Sequence, residues 1–377
     1  MKKIISMMVF IAIALAVRAD SITLVDETDL SPIAGATVIS DNGLIIGQTD
    51  KKGGINVSRK DFPLSVRCFG YETLTVKAGT DMAKMVPAKY ALGELVVTPI
   101  DRPIKRVLTY AREYTTGATK KDTVQMYSEC MLEYFITEGK VKGYRKSDRK
   151  RSSRNIRRYA RIVKNGMKDS LARPASGEEI GVISFVETFP NVPNNKIKEP
   201  ESMAKGAKAD TIYGDYYPRF IYSKGNGIFK RLYDMLSDNK EHIWSPALFK
   251  MVGITSDFYK VEHIQAFKEN DKGVYDVNDF LYDVHNIHLM VRGRLIKKSL
   301  GVKDNIEIDS YIEQYPVLIE SLSVEEYKEL KESRNDTQIE FMIPEFVQPL
   351  APAVQRLVDR FEPEGRSVDE QRNIKGI

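Results

Sequence analysis

From residue 20 to residue 98 the chain alternates apolar and polar residues in short runs, each cut off by residues that reverse a backbone. Asp41-Asn42-Gly43 and Asp50-Lys51-Lys52-Gly53 supply the positive φ of tight hairpin turns, and Gly70 supplies a bend before Tyr71. Runs this short cannot build helices, and a period of two buries one side of each run. The spacing predicts strands over 21–25, 35–40, 44–49, 54–58, 64–69, 72–76 and 94–98, seven strands closing on one core as an all-β sandwich.

Three phrases punctuate these runs: Pro32-Ile33-Ala34-Gly35-Ala36-Thr37-Val38, then Thr49-Asp50-Lys51-Lys52-Gly53-Gly54-Ile55-Asn56-Val57, then Phe69-Gly70-Tyr71-Glu72. Together they resemble the carboxypeptidase-regulatory-like domain, a seven-stranded Greek-key sandwich of transthyretin and immunoglobulin-like type found in exported proteins. Leu92-Gly93-Glu94-Leu95-Val96-Val97-Thr98 is similar to the segment that ends this domain in TonB-dependent outer-membrane receptors. In those receptors a plug and a very large barrel follow. Here Thr98 is followed by 279 of the 377 residues, without a series of lipid-facing strands of about ten residues, so a receptor of that kind is not expected. The resemblance covers residues 20–98 and implies a rigid platform, with no activity of its own.

Lys2 and Lys3 precede an apolar run over 4–17 broken by Ser6, and Ala19 offers a small residue at a cleavage site. Residues 1–19 therefore read as a secretory signal peptide, too short to be a stable span. No second apolar run of about 18 residues occurs, so no transmembrane span is expected in the mature chain. An exported, periplasmic or outer-membrane-associated protein of the Gram-negative envelope follows. Cys68 and Cys130 fall in different candidate domains and among apolar residues, where buried free thiols are the plain reading, although export would permit a bridge.

Residues 99–377 read as a second, α+β domain with a curved antiparallel sheet. Ile104, Val107, Leu108, Ala111 and Tyr114 recur at helical spacing, and further helices are expected over 228–236, 324–332 and 353–361. Ser323 with Glu326 forms a capping-box signature for the helix over 324–332. Strands are expected over 123–136, 141–144, 258–267, 273–281, 287–296 and 306–312, a long exposed loop over 188–210, and a charged tail after 361.

Catalytic signatures are sparse. No His is followed three residues later by Glu, which removes the zinc-carboxypeptidase ligand pair, and neither a Gly-x-Ser-x-Gly elbow nor a phosphate loop occurs. His285 and His288 are close in sequence, but strand periodicity turns them to opposite faces, so they do not predict a metal site. No catalytic residue, cofactor or metal is expected from the sequence. The chain carries 57 Lys and Arg against 52 Asp and Glu, yet between Lys140 and Lys168 thirteen cations face Asp148 alone. Within that window Arg149, Arg151, Arg154, Arg157, Arg158 and Arg161 are the candidate anion-binding residues, because guanidinium forks grip carboxylate and phosphate bidentately. Charge runs are also commonly solvated faces paired within a domain. Export removes nucleic acid as a partner and leaves an acidic glycan, lipopolysaccharide or an envelope protein. The sequence therefore predicts a non-catalytic binding or scaffolding protein, with a glycosidase- or peptidase-type hydrolase as the alternative.

Overall fold

A computed structural model describes residues 19–88, 102–137, 139–144, 152–174, 192–193, 195–213, 219–234, 255–292, 304–333 and 339–361. The chain divides into two compact units, Met1–Tyr90 with Gln348–Leu357, and Ala91–Val347 with Val358–Ile377.

The first unit contains β1 (Ala19–Asp26), β2 (Thr37–Ile39), β3 (Ile45–Gln48), β4 (Gly54–Ser58), β5 (Leu64–Arg67), β6 (Leu74–Val76) and β7 (Met82–Met85). They form one sheet ordered β4-β1-β7 and another ordered β3-β2-β5-β6. Ile22, Leu24, Ala36, Val38, Val57, Leu64, Val66, Val76 and Met85 from both sheets share one core. The turn phrases hold this unit together. Thr49 Oγ1 donates to the Ile33 carbonyl (2.6 Å) and accepts from the Ala36 amide (3.0 Å), joining the first phrase to the second. Asp50 Oδ1 accepts from the amides of Lys52 and Gly54, both at 2.8 Å, and so closes the β3–β4 turn. Arg67 donates to the Pro349 carbonyl (2.7 Å) and Arg356 to Asp41, which ties Gln348–Leu357 to this unit. Strand β7 escaped the sequence reading because Met82-Ala83-Lys84-Met85 lacks β-branched residues. The strand expected over 94–98 lies outside the described residues.

The larger unit is dominated by strands: β8 (Ile104–Ala118), β9 (Thr123–Thr137), β10 (Ser152–Lys164), β11 (Lys168–Ala172), β12 (Ile197–Lys198), β13 (Ala209–Ile212), β14 (Arg219–Gly225), β15 (Ile228–Asp234), β16 (Thr255–Lys268), β17 (Val274–Tyr275), β18 (Phe280–Arg292) and β19 (Ile306–Leu322). Ten of them make one antiparallel sheet ordered β11-β10-β9-β8-β19-β18-β16-β15-β14-β13, while β12 and β17 pair separately. The chain runs as a meander from β8 outward to β11 and as a second meander from β13 inward to β19. Antiparallel pairing of β8 with β19, from Ile104 opposite Leu322 to Ala118 opposite Glu307, joins the two.

Both faces of the central strands are buried. On one face Val107, Ala111, Cys130, Leu132, Tyr134, Phe229, Phe267 and Ile312 form a continuous core with Val192, Ile197, Met203, Tyr275 and Val277. On the other, the segment 339–347 covers the sheet, with Phe341 edge-on to Tyr110 and Phe346 against Tyr315. The helix Val324–Glu332, capped reciprocally by Ser323 and Glu326 as expected, seats Tyr327 on Ile104, Phe135 and Leu322.

Burial on both faces corrects the helical expectation for 104–114. Val107 and Ala111 serve one face, Ile104, Leu108, Tyr110 and Tyr114 the other, and the sum imitates a helical stripe. Residues 228–234 are likewise strand, β15, rather than helix, paired on both sides with β14 and β16. Among the described residues the unit is thus mostly β, built on a large antiparallel sheet, with helices a minor part. Residues 141–144 form a turn instead of a strand. Within 273–281 only Val274 and Tyr275 are extended before a 3-10 turn that Asp276 and Asp279 cap, and β18 starts at Phe280. Residues 188–210 are no plain exposed loop: among those described, Val192, Ile197 and Met203 are core, and β12, the helical turn Glu201–Ala204 and β13 begin there. Cys68 and Cys130 are free thiols.

Two predictions follow from this packing. Gly53 has φ +74°, and a Cβ there would lie 2.3 Å from the Leu24 carbonyl oxygen, whereas at Gly79, φ +83°, no atom comes within 4 Å. Gly53→Ala is expected to cost on the order of 2–3 kcal/mol in chemical denaturation, and Gly79→Ala about 1 kcal/mol. Across the β8–β19 seam, Arg112 and Glu313 form a buried ion pair. Arg112→Met alone is expected to cost about 3–5 kcal/mol by stranding the carboxylate, and Arg112→Met/Glu313→Leu to recover most of it; equal losses in both proteins would contradict the pairing.

Candidate functional site

The candidate arginines occupy β10 and the residues before it. Arg149 and Arg151 lie outside the described residues, and Arg154 is in β10. Strand alternation separates the rest. Arg157 and Arg161 share the face carrying Tyr159, and Arg158 points to the other, opposite Ser128. Arg157 lies 3.8 Å from the buried Glu129 carboxylate and stacks 4.4 Å from the Phe341 ring centre. Arg161 pairs with Asp169 at 3.0 Å, and Arg360 meets the same carboxylate at 3.2 Å. These guanidinium groups, Arg161 first, hold the Asp169 carboxyl below its usual range. The arginines on this face are thus neutralised from within the unit.

Further basic charge sits at the ends of the neighbouring hairpins. The Gly166 amide donates to the Lys121 carbonyl (2.9 Å) and the Asn165 amide to Asp122 (2.8 Å), binding the β10–β11 turn to the β8–β9 turn. Lys120, Lys121, Lys164 and Lys168 project from these joined tips, all exposed, around Met167, which is 86% exposed.

A second constellation lies on the core-bearing face of the sheet. Antiparallel register places His263 of β16 directly opposite His285 of β18, Gln265 opposite Asp283, and Arg231 of β15 opposite Gln265. Asp283 and His285 are two residues apart on one strand and therefore share a face. His263 Nε2 lies 2.6 Å from Asp283 Oδ1 and His285 Nε2 3.3 Å from the same oxygen, with the imidazole centres 3.9 Å apart. None of these three atoms has a hydrogen-bond partner of acceptable angle, although Asp283 is 0% exposed. Its other oxygen accepts from Gln265 Nε2 (3.2 Å), and Gln265 Oε1 in turn accepts from Arg231. Burial pushes the Asp283 carboxyl up, but the two imidazoles beside it outweigh this and hold it well below the usual carboxylate range. Burial, helped by His263, holds His285 below the ordinary imidazole value against the opposing pull of Asp283. The arrangement is an ionised carboxylate facing an imidazole that favours its neutral form, a donor set suited to a cation or to proton exchange.

Sequence reasoning missed this cluster because its halves are twenty residues apart and only strand register joins them. The available signal was Asp283-Val284-His285 in one alternating run and a single His263 in the preceding one. The separation of His285 from His288 was legible. His288 faces the other way and pairs through Nδ1 with Asp309 at 2.8 Å, with Glu307 at 3.5 Å. His242 lies outside the described residues.

No family model matches the chain, and no curated protein matches it.

His288 provides a pH test of this geometry. Burial opposes its charge, but the Asp309 hydrogen bond and the Asp309 and Glu307 carboxylates outweigh burial and the nearby Lys260, so its pKa is raised; Tyr259 flanks the ring. A raised folded-state pKa stabilises the fold fully below the unfolded value of about 6.5 and loses that contribution as pH rises through the folded value. The stability gap between the native chain and His288→Gln is therefore expected to be widest below about pH 6 and to shrink above neutrality in denaturation series. A gap that widens with pH would contradict the assignment.

Proposed function

We propose that this is an exported, non-catalytic protein of the Gram-negative cell envelope that binds an anionic glycan, lipopolysaccharide included, and scaffolds it against the envelope. In this reading the first unit is a transthyretin-type sandwich of the carboxypeptidase-regulatory-like kind. Support comes from its phrases, whose polar residues are committed to turns: Thr49 and Asp50 to their own loop, Tyr71 to Asp26 through a 2.8 Å hydrogen bond. The unit then acts as a platform, and the larger sheet carries the contact surface.

The observation that carries the reading is the pair of joined hairpin tips with exposed Lys120, Lys121, Lys164 and Lys168 around Met167. Four ammonium groups concentrate a positive field over one end of the sheet, where point charges on flexible stems suit phosphate and carboxylate in varied geometry. The exposed thioether adds an apolar contact at a surface otherwise wet. Of the candidate arginines Arg149, Arg151, Arg154, Arg157, Arg158 and Arg161, Arg157 and Arg161 already pair with carboxylates of the same unit, so the lysines at the tips lead the contact in this proposal.

A hydrolase reading draws on the His263, Asp283 and His285 donor set. Turnover of a glycan or peptide substrate, abolished by Asp283→Asn, would favour it over the binding role.

At about 1 kcal/mol per lysine near an anionic surface, reversing all four charges to Glu is expected to weaken binding to lipopolysaccharide-containing vesicles by at least about 100-fold at low salt. High salt is expected to erase most of the difference. Vesicle flotation and surface plasmon resonance read both effects. Unchanged binding in the reversed variant, with its fold intact by circular dichroism, would overturn the proposal.

A further inference from the structure

We propose that His263, Asp283 and His285 form a binding site for one divalent transition-metal ion, Zn2+ being the best match, with the fourth position open to water or an external ligand. Three donor atoms, two imidazole nitrogens and one carboxylate oxygen, lie within 4.8 Å of one another. The edges from His263 Nε2 and His285 Nε2 to Asp283 Oδ1 are 2.6 and 3.3 Å. Bonds of about 2.0–2.2 Å to N and O place neighbouring donors roughly 3–3.5 Å apart around a metal, so the longer edge already fits and the shorter opens by a few tenths of an ångström.

The second observation is electrostatic. Asp283 is fully buried, and neither Nε2 contact to its Oδ1 has the geometry of a hydrogen bond. Two neutral rings could each donate Nε2–H to the one oxygen, but neither contact has the geometry of a hydrogen bond, so such donation does not account for the convergence of the three atoms. A cation at the point where the three atoms converge serves all of them at once. The remaining carboxylate oxygen is held by Gln265, itself held by Arg231, a second layer that fixes which oxygen faces the centre. Imidazole with carboxylate selects Zn2+, Fe2+, Ni2+ or Cu2+ over Ca2+ and Mg2+, which prefer all-oxygen shells.

The frame is rigid: β16 and β18 are interior strands of the ten-stranded sheet, with the His263–His285 and Gln265–Asp283 pairs in direct register. Three ligands drawn from two strands, rather than four in a closed shell, resemble an open site that accepts an additional ligand.

The test uses the full mature chain, stripped with chelator and titrated with ZnCl2 and CoCl2. The expected result is one Zn2+ per chain by calorimetry, a rise in melting temperature, and visible absorption from the Co2+ adduct. Asp283→Asn and His263→Gln are each expected to weaken Zn2+ binding by about 100-fold, while His242→Gln/His288→Gln binds as the native chain does. Where a variant fails to fold, X-ray absorption on the Zn2+-loaded native chain decides, because two imidazole shells and an oxygen shell are required. Absence of stoichiometric binding, an edge spectrum without imidazole, or full binding in the Asp283→Asn variant would overturn the site.

Discussion

Pairing of β8 with β19 is the constraint on which the larger unit rests. The two strands are about two hundred residues apart in sequence, and each is the end of a separate meander. Their contact places Arg106 between Glu133 and Glu320, both at 2.8 Å, and Arg112 against Glu313, so a line of ion pairs runs across the seam. Burial makes these pairs selective more than stabilising. A slip of β19 by one residue would turn Glu313 and Glu320 to the opposite face and take both from their arginines. The register this enforces passes through β19 to β18 and from β18 to β16, where it decides that His263 meets His285.

The two faces of the sheet divide the chemistry. On one, tyrosines and paired charges lie beneath the segment 339–347. Tyr127 and Tyr110 both donate to the buried Glu129 carboxylate, which also faces Arg157. On the other, an aromatic core of Tyr222, Phe229, Phe267 and Tyr275 gives way to the His263, Asp283 and His285 cluster along the same strands. Charges inside the sheet are compensated, while Lys120, Lys121, Lys164 and Lys168 stand exposed at the joined hairpin tips. Within the most basic window of the sequence, Arg157 and Arg161 are accordingly paired inside the unit while Lys164 and Lys168 stay exposed.

Legibility followed exposure of one face. Where a strand has a wet side, as in Gly54–Ser58, or a helix a clear cap, as at Ser323 and Glu326, the local pattern located the element. In β9, expected as a strand over 123–136, Val124, Met126, Cys130, Leu132, Tyr134 and Ile136 fall on one face of the sheet. Where both faces are covered the period disappears, so Ile104 to Tyr114 imitated a helix. The segment around Val192 and Met203 read as loop because its apolar residues are spaced for insertion into a core rather than for a regular element. The candidate site was invisible for a different reason: cross-strand neighbours depend on register, and register is a property of the assembled sheet.

Native-state hydrogen exchange tests the central role of the β8–β19 seam most directly, since both strands are interior and their amides bond to neighbours on each side. The account predicts that amides of Tyr110 and Ala111 in β8 and of Ile312 and Gln314 in β19 share one opening free energy, equal to that of global unfolding of the larger unit. Exchange of β19 together with β18 and β16 through a separate, lower-energy opening, while β8 and β9 stay protected, would contradict it.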